Sequence, residues 1–289
     1  MSLQQTQTNL IHRNMKSLLR KYPVISRYIL AILLLGLALV LSGIIDNPFL
    51  KKYFPFASSL FLLIATWFLY KTDGKTLSTI GLNLKWKNIR FLPLGVFIGA
   101  TVFLIAKYLR ALYTGEIFAI STSISYSTIL YGLYTILPTV AVEEFLFRGY
   151  LFKKTISVSN VIVANIIFSI VFMLVHVLDA NILQNRAMVI FFVITIPIGH
   201  LLFAIALLKS KTLFFPIGIH LGNNWATRHL ITNSDSGESF LYILNNVTFD
   251  TWWFYIGFIV LWNAFFLVVV LFIWKWDRYN LFTNKKVIN

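Results

Sequence analysis

The sequence predicts an all-α, polytopic membrane protein of about eight transmembrane helices enclosing a buried polar site. Three observations carry this expectation. Of the 289 residues, 58% are hydrophobic and only 12% charged, against about 25% charged in a typical soluble domain. The apolar residues fall in eight segments long enough to span, or nearly span, a bilayer, which takes roughly 20 helical residues. A handful of polar residues then sit inside those segments, at helical spacings. Helix is expected over sheet because lipid cannot satisfy the backbone groups of an open sheet.

The segments run in order at about 27–45, 53–70, 91–113, 122–147, 160–178, 187–208, 212–232 and 253–274. The first follows a basic leader. Its apolar run exceeds the h-region of a cleaved signal peptide, so an uncleaved first span is expected. The fourth and seventh contain polar groups and a proline each, Pro138 and Pro216, which are expected to kink their helices. The resulting domain plan is a basic tail over 1–26, a helical membrane domain over 27–274 and a second basic tail over 275–289. The leader "LIHRNMKSLLRKY" reads either as an amphipathic stretch on an anionic leaflet or as a solvated tail. "NVT" at Asn246 matches a glycosylation acceptor, which matters only in a secretory pathway.

The net charge is +15, but the basic residues lie at the ends of apolar segments. That placement orients spans; a nucleic-acid footprint would need a clustered basic face on a soluble domain. No nucleic-acid partner is expected, and the lipid bilayer is. Alternate connections, including both tails, hold 18 lysines and arginines; the opposite set holds six, namely Lys51, Lys52, Lys107, Arg110, Arg186 and Arg228. The positive-inside rule puts both termini in the cytoplasm, which requires an even number of spans. With no cysteine, disulfides, thiolate ligands and a cysteine nucleophile are excluded. The richness in Ile, Lys, Asn and Phe leans toward a bacterial plasma membrane.

Three spans carry polar groups at membrane depth. "TVAVEEFLFRG" holds Glu143, Glu144 and Arg148; "ANIIFSIVFMLVH" holds Asn165, Ser169 and His176; "FPIGIHLGNNW" holds His220, Asn223 and Asn224. An ionisable residue at that depth costs at least about 2.5–3.5 kcal/mol, and it marks function by default. Asn165, Ser169, Phe172 and His176 form one helical stripe. Glu144 and Arg148 are four apart with the acid first, the favourable order for an ion pair. Glu143 lies about 100° around the helix from Glu144, so the two acids are free to take different partners. If the fourth and fifth spans form a hairpin turning at "SVSN", Glu143 and His176 lie level. Gly218 and Gly222 make a small-xxx-small pair that admits a close neighbouring helix.

Two carboxylates, two histidines, an asparagine and an arginine suffice to activate water and to stabilise an oxyanion. Arg148 would keep one glutamate ionised while the other acts as base. Hydrolysis of a peptide bond within the membrane fits these parts. The three motifs EExxxR ("EEFLFR"), FxxxH ("FMLVH") and HxxxN ("HLGNN") occur in series. Together they resemble the CPBP family, the CAAX-protease and bacteriocin-processing (Abi) membrane proteins, whose eukaryotic members include the Ras-converting CAAX endopeptidase. The resemblance spans about 120–232. It implies a glutamate-type intramembrane endopeptidase acting on membrane-associated or lipidated (CAAX-type) proteins or peptides. It further implies that Glu143 and His176 activate the water and that His220 and Asn224 form the oxyanion hole. Glu144 and Arg148 would support the site, with Phe172 packed beside it.

Plainer readings stand next to these. The acids and Arg148 could be a structural ion pair, and each histidine a packed core residue. Asn165 and Ser169 read as helix-packing groups, His200 as a packing or interface histidine, and Tyr126, Tyr131 and Tyr134 as belt or packing residues. No cofactor is required. Zinc is the alternative by ligand type, although HExxH is absent. At the level of function the alternatives are a non-catalytic scaffold or bacteriocin self-immunity factor, and a proton-coupled transporter. The first predicts that a Glu143 and His220 double mutant keeps its phenotype; the second predicts substrate-dependent proton flux in liposomes.

Overall fold

The computed structural model describes residues 21–45, 49, 54–245 and 247–276. The leader up to Arg20 with His12, the connection carrying Asp46, Lys51 and Lys52, Asn246, and the tail beyond Trp276 lie outside them. The eight expected segments each correspond to one helix of 16 to 25 residues. These are α1 (Pro23–Ile45), α2 (Ala57–Thr72), α4 (Phe91–Thr114), α5 (Tyr126–Arg148), α7 (Val161–Val177), α9 (Arg186–Ser210), α10 (Phe214–His229) and α11 (Trp252–Lys275). Short helices α3 (Trp86–Ile89), α6 (Tyr150–Val158) and α8 (Ala180–Leu183) join them. By length and composition, five of the described helices can cross a membrane, and α2 and α7 are shorter apolar helices. Of the eight, only α10 falls in neither group, because His220, Asn223, Asn224 and Arg228 dilute its apolar residues. The molecule is an all-α polytopic membrane protein.

Caps fix several helix starts. Asn160 accepts from the Val163 amide at 2.9 Å and opens α7; Asn185 and Thr251 do the same for α9 and α11. Pro138 lies inside α5 and Pro197 inside α9. Pro216 is different from expectation: it occupies the first turn of α10, where a missing N–H costs no helical bond. One addition to the all-helical reading is a small sheet in the order β1-β3-β2. It consists of β1 (Phe118–Ile120), β2 (Ile231–Thr232) and β3 (Leu241–Ile243), with β1 antiparallel and β2 parallel to β3. The sheet ties the connection after α4 to the one after α10.

The closest helix approach is between α4 and α10. Gly218 and Gly222 of α10 face Gly95 and Gly99 of α4. A Cβ on Gly95 would sit 2.7 Å from the Phe215 carbonyl oxygen, and one on Gly222 would overlap the Val96 carbonyl. The small-xxx-small pair predicted on α10 therefore has its counterpart in "GVFIG" on α4. Backbones in such contact gain dispersion from many atoms at once. The largest apolar core joins α1, α2, α5, α6, α7, α9 and α10, and a second joins α4, α9, α10 and α11. Residues facing lipid account for the many exposed apolar side chains, such as Leu33, Ile162 and Val260.

Candidate active site

The site forms where α5, α7, α9 and α10 meet. At the end of α5, Glu144 and Arg148 lie on the inner face and are fully buried, with Arg148 Nη1 donating to Glu144 Oε1 at 3.1 Å. The same oxygen accepts from His220 Nδ1 of α10 at 2.9 Å. The helical ion pair expected from the spacing is thus present, and it is extended to a third residue 76 positions away. The Arg148 guanidinium carbon lies 4.2 Å from the Phe172 ring centroid and 5.0 Å from that of Phe203. Phe203 also stacks on the His220 imidazole, with centroids 4.5 Å apart and planes at 15°. Cation–π contact offsets part of the cost of desolvating the guanidinium.

Glu143, one residue earlier, faces elsewhere, as its 100° offset requires. Its Oε2 lies 3.9 Å from His176 Nε2 and 3.8 Å from His220 Nε2. That oxygen is buried without a hydrogen-bond partner among the described residues. The hairpin register is as expected: α6 ends at Val158, α7 begins at Val161, and Glu143 and His176 come level.

Hydrogen bonding sets both tautomers. His176 Nδ1 is 2.8 Å from the Phe172 carbonyl oxygen. A carbonyl only accepts, so Nδ1 carries the proton, and a neutral ring presents a lone pair at Nε2. His220 Nδ1 is held the same way by the Glu144 carboxylate, leaving Nε2 turned toward Glu143. Glu143 Oε2 and His176 Nε2, two acceptors 3.9 Å apart, let one water donate to both, with each hydrogen bond about 2.8 Å. Asn224 is half-buried one turn past His220, and its side chain makes no hydrogen bond within the described residues. Phe172 is buried and meets His176 edge-on at 4.5 Å.

The other polar candidates separate from this cluster. Asn165 Nδ2 donates back to the Val161 carbonyl. His200 is fully buried against Phe152 and Phe172. His229 bonds the Glu238 carbonyl near the small sheet. Phe203 is the site residue that the sequence does not mark, since it is one phenylalanine among many on an apolar helix. Among the described residues, no group of three or more His, Cys, Asp or Glu is arranged to hold a metal ion.

Two cavities open along α5, the helix that carries Glu143. One of about 660 Å³, almost wholly apolar, opens between α4, α5 and α10, and its lining includes Leu137, Leu221 and Trp225. Another, of about 500 Å³, lies between α1, α2 and α5 and is lined in part by Ser42, Ser58, Thr135 and Thr139. Thr135 and Thr139 precede Glu143 by eight and four residues and share its helix face.

No curated protein and no solved structure matches the chain. Residues 125–226, which contain Glu143, His176, His220 and Asn224, match the family model described as "Type II CAAX prenyl endopeptidase Rce1-like". That segment contains the EExxxR, FxxxH and HxxxN motifs, and the match agrees with the resemblance to the CAAX-protease family that they carry.

Proposed function

We propose that the protein is a glutamate-type intramembrane endopeptidase, cleaving membrane-associated or lipidated (CAAX-type) proteins or peptides. The observation that carries this reading is the placing of Glu143 Oε2, unpartnered, within 3.9 Å of two imidazole Nε2 atoms. A water donating to Glu143 Oε2 and His176 Nε2 has its lone pair free to attack a carbonyl carbon. Glu143 takes the water's proton as the C–O bond forms. The oxyanion is held by Asn224 Nδ2 and by Nε2–H of a doubly protonated His220, whose Nδ1–H is bound by Glu144; the ring enters and leaves the reaction in that form and gives up neither proton. Glu143 then returns the proton to the departing amine nitrogen as the C–N bond breaks. Glu144 and Arg148 orient His220, and Phe172 supports both Arg148 and His176. No cofactor takes part.

The apolar cavity beside α10 suits a lipid chain or an apolar substrate segment, and the cavity along Thr135 and Thr139 suits approach to Glu143 from a polar side. Positive-inside charge supports both termini in the cytoplasm, with tails over 1–26 and 275–289 around the membrane domain, and composition supports a bacterial plasma membrane. The chain lacks cysteine, so single cysteines placed in each tail and tested with an impermeant thiol reagent read the orientation directly. Labelling of a tail from outside intact cells would reverse it.

The decisive experiment compares native membranes carrying wild type and Glu143→Gln by proteomics of peptide termini. Termini present only with wild type are expected, and their cleavage by purified protein should fall by about 100-fold to 10,000-fold in the variant at equal folded yield. Retained cleavage in Glu143→Gln would remove Glu143 from water activation.

A further inference from the structure

A second polar cluster lies away from the site, where α2 ends and α6 runs alongside. Asp73, just past α2, is its hub. Arg27 Nε reaches Asp73 Oδ1 at 3.1 Å, while Tyr150 Oη and Lys154 Nζ reach Oδ2 at 2.8 and 3.2 Å. Arg27 also donates to the Thr72 hydroxyl and carbonyl. The carboxylate is therefore saturated by cations and a hydroxyl.

A cavity of about 190 Å³ opens at this cluster, and Lys75, Lys153 and Lys154 all line it. Neither Lys75 nor Lys153 has an acidic partner among the described residues, and Asp73 is the one acid on the wall, already engaged. The walls thus carry two more positive than negative charges. Thr79 and Ser157 add hydroxyls. Tyr70 supplies an independent observation: it lines the cavity at 3% exposure, and its hydroxyl is buried without a hydrogen-bond partner. Converging ammonium groups are held apart by mutual repulsion unless an anion joins them. An unmatched buried hydroxyl has the same deficit in hydrogen bonds.

We propose that this cavity is a binding site for a phosphate-type anion, with Lys75, Lys153 and Tyr70 as its principal ligands. Its position at the ends of two membrane helices suits the headgroup of an anionic phospholipid, and a free phosphate offers the same chemistry. The site is separate from Glu143 and its partners and does not depend on their role.

The test uses the full-length protein in detergent, with two probes. Native mass spectrometry measures retained phosphatidylglycerol against phosphatidylcholine; thermal unfolding measures the shift produced by inorganic phosphate. Preferential retention of phosphatidylglycerol is expected, falling about tenfold in K75Q/K153Q and by a smaller factor in Y70F. Stabilisation by inorganic phosphate that is lost in K75Q/K153Q, without preference between the lipids, keeps the site and identifies free phosphate as the source. Equal adducts of both lipids in wild type and variants, with no effect of phosphate, overturns the proposal. Y70F removes one hydroxyl and retains the ring packing against Tyr150, so an unchanged fold accompanies its readout.

Discussion

The buried pair of Glu144 and Arg148 makes a quantitative prediction. Both side chains are 0% exposed. Replacing Arg148 by Met leaves the carboxylate with only His220 as a partner; replacing Glu144 by Gln leaves a guanidinium whose Nε and Nη2 already have no partner among the described residues. Removal of one member of a buried pair costs about 3–5 kcal/mol, because it leaves the other charge uncompensated, whereas losing both charges removes that penalty. The Arg148 contacts with Phe172 and Phe203 raise the cost of R148M by up to about 2 kcal/mol. Each single variant should therefore lose several kcal/mol, and E144Q/R148M should recover the share that comes from the uncompensated charge but not the cation–π share. Unfolding of wild type, both singles and the double by denaturant in a fixed detergent gives the four corners of the cycle. If the two losses add to within about 0.5 kcal/mol, the residues act independently, and the triad with His220 is not a unit.

Asn224→Ala should lower the turnover of a verified substrate by about 100-fold to 1,000-fold, as removal of an oxyanion donor does, with little change in KM; an effect confined to KM would make Asn224 a binding residue. Asp73 supplies a pH signature. Burial alone would raise its pKa, but the hydrogen bonds from Tyr150 and Lys154, with the charges of Lys154 and Arg27, hold it below its ordinary value of 3.8. Its folded value is depressed, so its contribution to stability is fully present above that ordinary value and is lost as pH falls through the folded one. The difference in melting temperature between wild type and D73N should be constant from neutral pH down to about pH 5 and shrink in stronger acid. A difference that instead widens in acid would contradict the salt-bridged hub.

Much of the site is readable along the chain because helical geometry is local. The Glu144–Arg148 pair follows from i,i+4 spacing, and the divergence of the adjacent glutamates follows from the 100° step. The level of Glu143 with His176 follows from a short hairpin turn whose position the "SVSN" polarity marks. What joins α5 to α10 is not local. The His220–Glu144 bond depends on how α10 is carried by α4, and no spacing encodes a pairing across 76 residues. Phe203 escapes for a related reason: in an all-apolar helix, facing a cation leaves no mark on composition. The small sheet was illegible because its strands are two or three residues long, and β1 pairs with β3 across more than a hundred positions. The lysine cavity had been visible only as orienting charge. Its lysines come from two separate connections, and only folding brings them onto one wall.

The glycine seam between α4 and α10 has a reach beyond packing. α4 donates no polar group to the cluster around Glu143, yet carbonyls of α4 bear directly on Gly218 and Gly222, the two positions that bracket His220. The imidazole's height in the bilayer is thereby indexed to the backbone of α4. Any side chain introduced at Gly95 or Gly99 must push the α10 backbone outward, carrying His220 away from both glutamates at once. If the proposed hydrolysis takes place, substitution tolerance along α4 should track it more closely than lipid exposure. A bare helix face, chemically silent, serves as the ruler against which the clustered polar groups are set.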